Sequence, residues 1–266
     1  MSICTTDAIV LSRTLMGDSS LLVTLYTRAF GKMKVVARGA RKPKSKLAPA
    51  LQPFTVISTT FRRKAHRDLQ TLNQADVLTV FRHLSEDLTK MAYAGAVVEL
   101  VNRLIIGEEP SPELYELTLQ TLAALNTQPA DGGEVIFWRF QLQLAASFGY
   151  APQFLRCVGC DRTVEIPDPR FSASLGGVLC AGCLTQDPGA FTVSLGTVKL
   201  LERIQHLPVD LLSRLKPSRA SRQEIIRIIR SFFLYHLEDA RELKALKFLQ
   251  YLEDAPESAQ PALPDG

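Results

Sequence analysis

The chain has 266 residues, 46% of them hydrophobic and 22% charged, enough for one large domain or two to three small ones and unlike a disordered or fibrous composition. No apolar run approaches the roughly 18 residues that span a bilayer, and the first residues lack the marks of a secretory leader, so a cytoplasmic protein without membrane contact is expected. The net charge of +4 is unevenly placed: residues 1–82 hold 14 Lys/Arg against 4 Asp/Glu, whereas residues 83–266 hold 17 against 23. A basic head on a mildly acidic body calls for a polyanionic partner, and without a basic amphipathic helix in the head that partner is nucleic acid rather than a membrane.

In chain order, β-rich runs occur at 6–13, 19–27, 33–38, 54–61 and 69–78. They are divided by turn signals at Met16-Gly17-Asp18, at Phe30-Gly31-Lys32 and in the stretch from Gly39 to Pro53. Five short strands in some 80 residues predict a small barrel of the five-stranded OB type, with an SH3-like barrel as the nearest competitor. From residue 83 the period becomes helical. Ser85-Glu86-Asp87 reads as a helix start, Ser111-Pro112-Glu113 as a second, and a third helix runs from about Gly133 to Phe148 with Gly149 as its stop. Residues 151–190 are rich in Gly, Pro and Cys, and helical spacing returns at 194–206 and 221–252. The expected fold class is α+β. The organisation would be a barrel over 1–82, a helical domain over 83–150 and 191–254, an insertion over 151–190 and a disordered tail over 255–266.

Cys157, Cys160, Cys180 and Cys183 form C-x2-C-x19-C-x2-C. Two residues between cysteines let one tight turn aim both sulfurs at a single ion, and the spacer can fold back to unite the pairs. Gly159 and Gly182 are expected to let each turn curl. Two disulfides, two redox pairs or plain buried cysteines are the alternatives. The cytosolic setting and two such motifs within one Gly/Pro-rich segment favour a zinc ribbon with one structural Zn2+, all four positions being filled by protein.

Residues 28–46 carry Arg28, Lys32, Lys34, Arg38, Arg41, Lys42, Lys44 and Lys46 with no acid. Strand alternation would put Lys32, Lys34 and Arg38 on one face. A second cluster, Arg62, Arg63, Lys64 and Arg67, falls at the turn before the last strand. A single charge run is ordinarily a solvated surface. Two in one small domain, almost without acids, point to a phosphate-dominated nucleic-acid face. Phe30, Phe54, Phe61 and Tyr26 suit a core as well as they suit base stacking. Nucleotide-binding, zincin and serine-hydrolase motifs are absent, the four histidines read as surface or packing residues, and the Glu108-Glu109 and Glu238-Asp239 pairs read as solvated loop and helix charges. No enzyme is expected.

The opening TDAIVLSRTLMGDSSLLVTLYTRAFGKMKVVARGARKPKSK, the CVGC…CAGC pair and the late RSFFLYHLEDARELKALKFL together resemble the bacterial recombination and repair mediator family RecO. The resemblance implies an OB barrel followed by a helical domain bearing a zinc ribbon. It also implies binding of single- and double-stranded DNA, annealing of complementary strands, and loading of recombinase (RecA, indirectly) onto strands coated by single-strand-binding protein. RecR and the C-terminal tail of single-strand-binding protein would be partners, in a nucleoid-associated, cytoplasmic RecF pathway without nucleotide hydrolysis. The family's basic positions map onto Lys32, Lys34, Arg38, Arg41, Lys42 and Lys44, and its zinc ligands onto the four cysteines. The competing class is a zinc-ribbon transcription or translation factor that binds structured RNA or duplex DNA. A nuclease or nucleotidyl-processing enzyme is the third.

Overall fold

A computed structural model describes residues 2–63, 67–166, 168–237, 243, 244 and 247. Strands β1 (Ser2–Met16), β2 (Ser20–Thr27), β3 (Gly31–Ala37), β4 (Val56–Arg63) and β5 (Leu69–Thr79) close a barrel in the order β1-β2-β3-β5-β4. All neighbours are antiparallel except β3 and β5, which run parallel. This is the five-stranded OB fold. Strand β1 is long because it serves two partners. Ser2–Ile9 pair with β4 and Ala8–Met16 with β2, and a register shift between Val10 and Ser12 bends the strand between them.

The Gly39–Pro53 stretch is not merely a turn. It contains a short helix, α1 (Leu47–Ala50), which sets Ala50 and Leu51 into the barrel interior beside Val35, Ile57 and Phe61. Within β3, Met33, Val35 and Ala37 face inward, while Lys34 is exposed and Lys32 and Val36 are half-buried; Arg38, just after the strand, is exposed. The period-2 pattern of that run therefore holds.

The helical body comprises α2 (Arg82–Glu86), α3 (Leu88–Leu104), α4 (Pro112–Thr127), α5 (Gly133–Ser147), α6 (Leu195–His206) and α7 (Arg219–His236). The first long helix is capped by Asp87, which accepts from the Lys90 N–H at 2.9 Å, and not by Ser85, whose hydroxyl donates to Arg82 O. Ser111 caps α4 with Pro112 behind it, and Gly149 (φ 85°) ends α5, as the sequence leads one to expect. Of the helical spacing expected over 221–252, α7 covers the part up to His236, and Lys244 and Lys247 are again helical, with Lys247 N–H donating to Leu243 O. Glu238, Asp239 and the tail 255–266 lie outside the described residues.

Two apolar clusters hold the molecule. One fills the barrel. The other unites the helices with the 151–190 segment, through Phe154, Val164, Phe171, Val178 and Leu179, and with Ile9, Leu11, Tyr26 and Val56 on the outer wall of the barrel. The Gly/Pro-rich segment thus draws its core from the helices: Phe171 packs against Phe154, Phe191 and Phe232.

Polar ties reinforce the same seam. The Lys32 ammonium donates to Asn102 O, in the last turn of α3, at 2.6 Å, where a cation meets the negative end of the helix dipole. Arg63 pairs with Glu108 at 3.1 Å and lies over the Phe30 ring, and Arg28 pairs with Glu116 over Tyr115. Gly31 (φ 63°) sits beneath the 107–110 loop. A Cβ there would come within 2.9 Å of the Glu109 nitrogen and closer still to its carbonyl oxygen. Gly31→Ala should therefore destabilise the fold by about 2 kcal/mol or more, through both the backbone conformation and the clash. An unchanged urea midpoint would refute this.

Candidate nucleic-acid interface and metal centre

The predicted cations separate into two groups. Lys34, Arg38, Lys42, Lys44, Lys46, Arg62 and Arg67 are exposed, and among the described residues no carboxylate pairs with them. Lys32 and Arg63 are instead committed to the seam with the helices. Their expected place on a shared outward face is corrected accordingly, and so is the reading of Glu108 as a merely solvated charge. Burial, then the neighbouring Lys34 charge, pulls the Lys32 amine below its ordinary pKa. Lys64 lies outside the described residues.

Arg41 has a third part. Its backbone N–H donates to Ser19 O at 3.0 Å and its guanidinium to Gly17 O and Asp18 O at 3.3 and 3.1 Å. It staples the 39–46 loop to the β1–β2 turn. That turn, the far end of β3 and the start of β5 enclose a groove of about 1040 Å³, with Arg38, Lys42 and Arg67 in its lining and Asp68 as the lining's one carboxylate. On an OB barrel this is the ligand side, flanked by the loops that follow strands 1 and 4. The cations are legible in the sequence; the groove's other walls, among them Met16, Val36 and Leu69, are not. Exposed apolar residues at strand ends are the only signal that could have marked them.

The cysteine pairs converge. The sulfurs of Cys157, Cys160, Cys180 and Cys183 all lie within 4.8 Å of one another, with Cys160 and Cys180 at 3.6 Å. Four thiolates at tetrahedral corners about 2.3 Å from one ion stand about 3.8 Å apart, so the donor set fits a single metal ion. A small hairpin carries the first pair. Cys157 N–H donates to Arg162 O, the Asp161 N–H returns to Cys157 O, both at 2.8 Å, and Asp161 takes a left-handed turn (φ 60°). Arg156 grips the Asp161 carboxylate through two bonds of 2.7 and 2.8 Å.

Strands β6 (Arg170–Ser172), β7 (Gly177–Leu179) and β8 (Phe191–Thr192) form the small sheet that delivers the second pair, in a tight turn over 180–186. A Cβ at Gly159 would meet only the terminal amide of Gln186, a flexible side chain that can move aside. Gly182 has open space and no unusual φ, so the expected need for glycine does not hold at that position.

Burial raises the Cys157 thiol, but N–H donors from Cys180, Gly159 and Cys160 outweigh it and bring the group down to about 6. Burial, followed by the crowding of the other three sulfurs, pushes Cys183 up to about 12. Four sulfurs so placed resist ionising together unless a cation shares the site.

Comparison with known proteins agrees with this architecture. Residues 1–81 match the family model "Recombination protein O N terminal" and residues 85–247 match "Recombination protein O C terminal". The DNA repair protein RecO of Pelotomaculum thermopropionicum is 35% identical over 238 residues, covering 90% of this chain and 91% of its own. That of Symbiobacterium thermophilum is 34% identical over 240 residues, covering 90% and 94%.

The chain belongs to the RecO family. Its general role is therefore in DNA repair and recombination, as a mediator rather than an enzyme. The boundary between the two RecO models, at 81–85, falls where β5 gives way to α2. Among the described residues no helix is long and apolar enough to cross a membrane.

Proposed function

We propose that this RecO family member binds single- and double-stranded DNA through the exposed cations of the barrel, namely Lys34, Arg38, Lys42, Lys44, Lys46, Arg62 and Arg67. Arg41 builds the loop that carries several of them. The observation that supports this most is the groove on the ligand side of the OB barrel, where three cations converge with a single acid. Phosphate is the ligand such a surface suits, and cations without ordered partners contact it irrespective of sequence.

A face of this kind anneals strands by neutralising their mutual repulsion while leaving base edges free to pair. In the cell it would act with RecR on strands coated by single-strand-binding protein, reaching that protein through its C-terminal tail and so helping recombinase RecA to load. The four cysteines would hold one structural Zn2+, whose tetrahedral preference and affinity for thiolate the cluster meets.

The test is pairing of complementary oligonucleotides, naked and coated, without ATP. Acceleration on arbitrary sequences supports the reading. No acceleration on either substrate overturns it.

A further inference from the structure

The groove on the barrel contains more than charge. Met16 at the end of β1 and Leu69 at the start of β5 are 41% and 38% exposed, and both line it, with Val36 between the walls. Register fixes their place: Leu69 stands beside Lys34 and Thr71 beside Val36 on the outer surface of the parallel β3–β5 pair, while Met16 pairs with Ser20 across the hairpin end. Arg41 holds that hairpin end against the 39–46 loop, so Met16 belongs to a braced wall.

A molecule complementary to this lining must offer an anionic group to Arg38, Lys42 and Arg67 and a flat apolar body to Met16, Val36 and Leu69. An unpaired nucleotide does both. A nucleotide within a duplex does not, because its base faces are covered by its neighbours and only phosphate and groove edges are presented.

We infer that Met16 and Leu69 form a base platform that makes the groove specific for unpaired nucleotides, and that duplex DNA is held by the surrounding cations alone. This rests on the DNA-binding reading above and adds to it the feature that separates the two substrates. Methionine, unbranched and polarisable, adapts to any of the four bases, so the platform discriminates strandedness without discriminating sequence.

The test measures binding of the full chain to three probes of equal length: oligo-dT, an abasic deoxyribose-phosphate strand and a duplex. The wild type should prefer oligo-dT to the abasic strand by about tenfold, the order expected of base stacking. Met16→Ser with Leu69→Ser should erase that preference while duplex affinity and its salt slope stay within about twofold, since no cation is removed. The retained duplex affinity also reports that the variant is folded, and Met16→Leu with Leu69→Met should restore the preference.

A wild type that binds oligo-dT and the abasic strand equally overturns the platform but leaves DNA binding standing. So does a double serine variant that keeps the wild-type preference, or one that loses all three probes in proportion. A wild type that binds none of the probes overturns the reading beneath it.

Discussion

Lys34→Glu combined with Arg38→Glu should weaken binding to every DNA tested, by about tenfold to a hundredfold at moderate salt. Lys34 is exposed on the outer face of β3 and Arg38 is exposed in the turn that follows it, and among the described residues neither has a carboxylate partner, so reversal leaves the barrel interior untouched. If each contacts one phosphate, the slope of log affinity against log salt on a single strand should flatten by roughly 1.4, at about 0.7 for each phosphate released. A filter-binding or anisotropy titration across several salt concentrations decides this. Unchanged affinity and slope would remove β3 from the interface. Lys32→Glu should behave differently. It breaks the bond to Asn102 O at the end of α3, so its first effect should be on stability rather than on salt dependence.

Removing the metal should have the largest effect on the fold. Protein purified without added metal is expected to carry one zinc per chain. Stripping it, or making Cys180→Ser, should unfold the ribbon. Structural zinc contributes roughly 10–16 kcal/mol in isolated fingers, as much as the entire stability of an ordinary domain. The damage would spread, because Phe171 touches Phe232 of α7 and the ribbon shares its apolar cluster with the helices. The expected readouts are a fall in melting temperature of more than about ten degrees and new protease cleavage within 151–190. For a body this size roughly 2–4 °C corresponds to each kcal/mol lost. A metal content near zero, with the thiols paired as disulfides, would contradict the assignment.

The features legible in the sequence were those that local chemistry enforces. The cysteine spacing foretold the quartet because metal ligands are constrained by reach. The alternation of Lys32, Met33, Lys34 and Val35 shows which face of β3 lines the barrel interior. Gly149 and the Ser111-Pro112 pair marked helix ends, because their backbone preferences act within a few residues.

What stayed hidden depended on partners distant in the chain. Nothing in the run 28–46 tells Lys32 from Lys34, since the difference is the end of a helix seventy residues away. Arg63 reads as a free cation in the sequence because its partner, Glu108, lies 45 residues away in what reads as loop charge. Arg41 reads as a ligand for phosphate, and its second part, bracing the hairpin, shows only in the fold; the apolar walls of the groove likewise exist only once β1, β3 and β5 are assembled. The helix at Leu47–Ala50 was obscured by the prolines and lysines around it, although Leu47, Ala50 and Leu51 already carried a helical spacing.

The outer wall of the barrel has a consequence for how the chain can be dissected. Ile9, Leu11, Tyr26 and Val56 are nearly or wholly shielded from water only because the helices lie over them. Scissors placed between the two family models would strip that cover and leave a sticky, wet stripe on the shorter piece. A fragment ending near residue 81 is therefore expected to associate with itself through that stripe, and DNA contact measured on it would be read through that association.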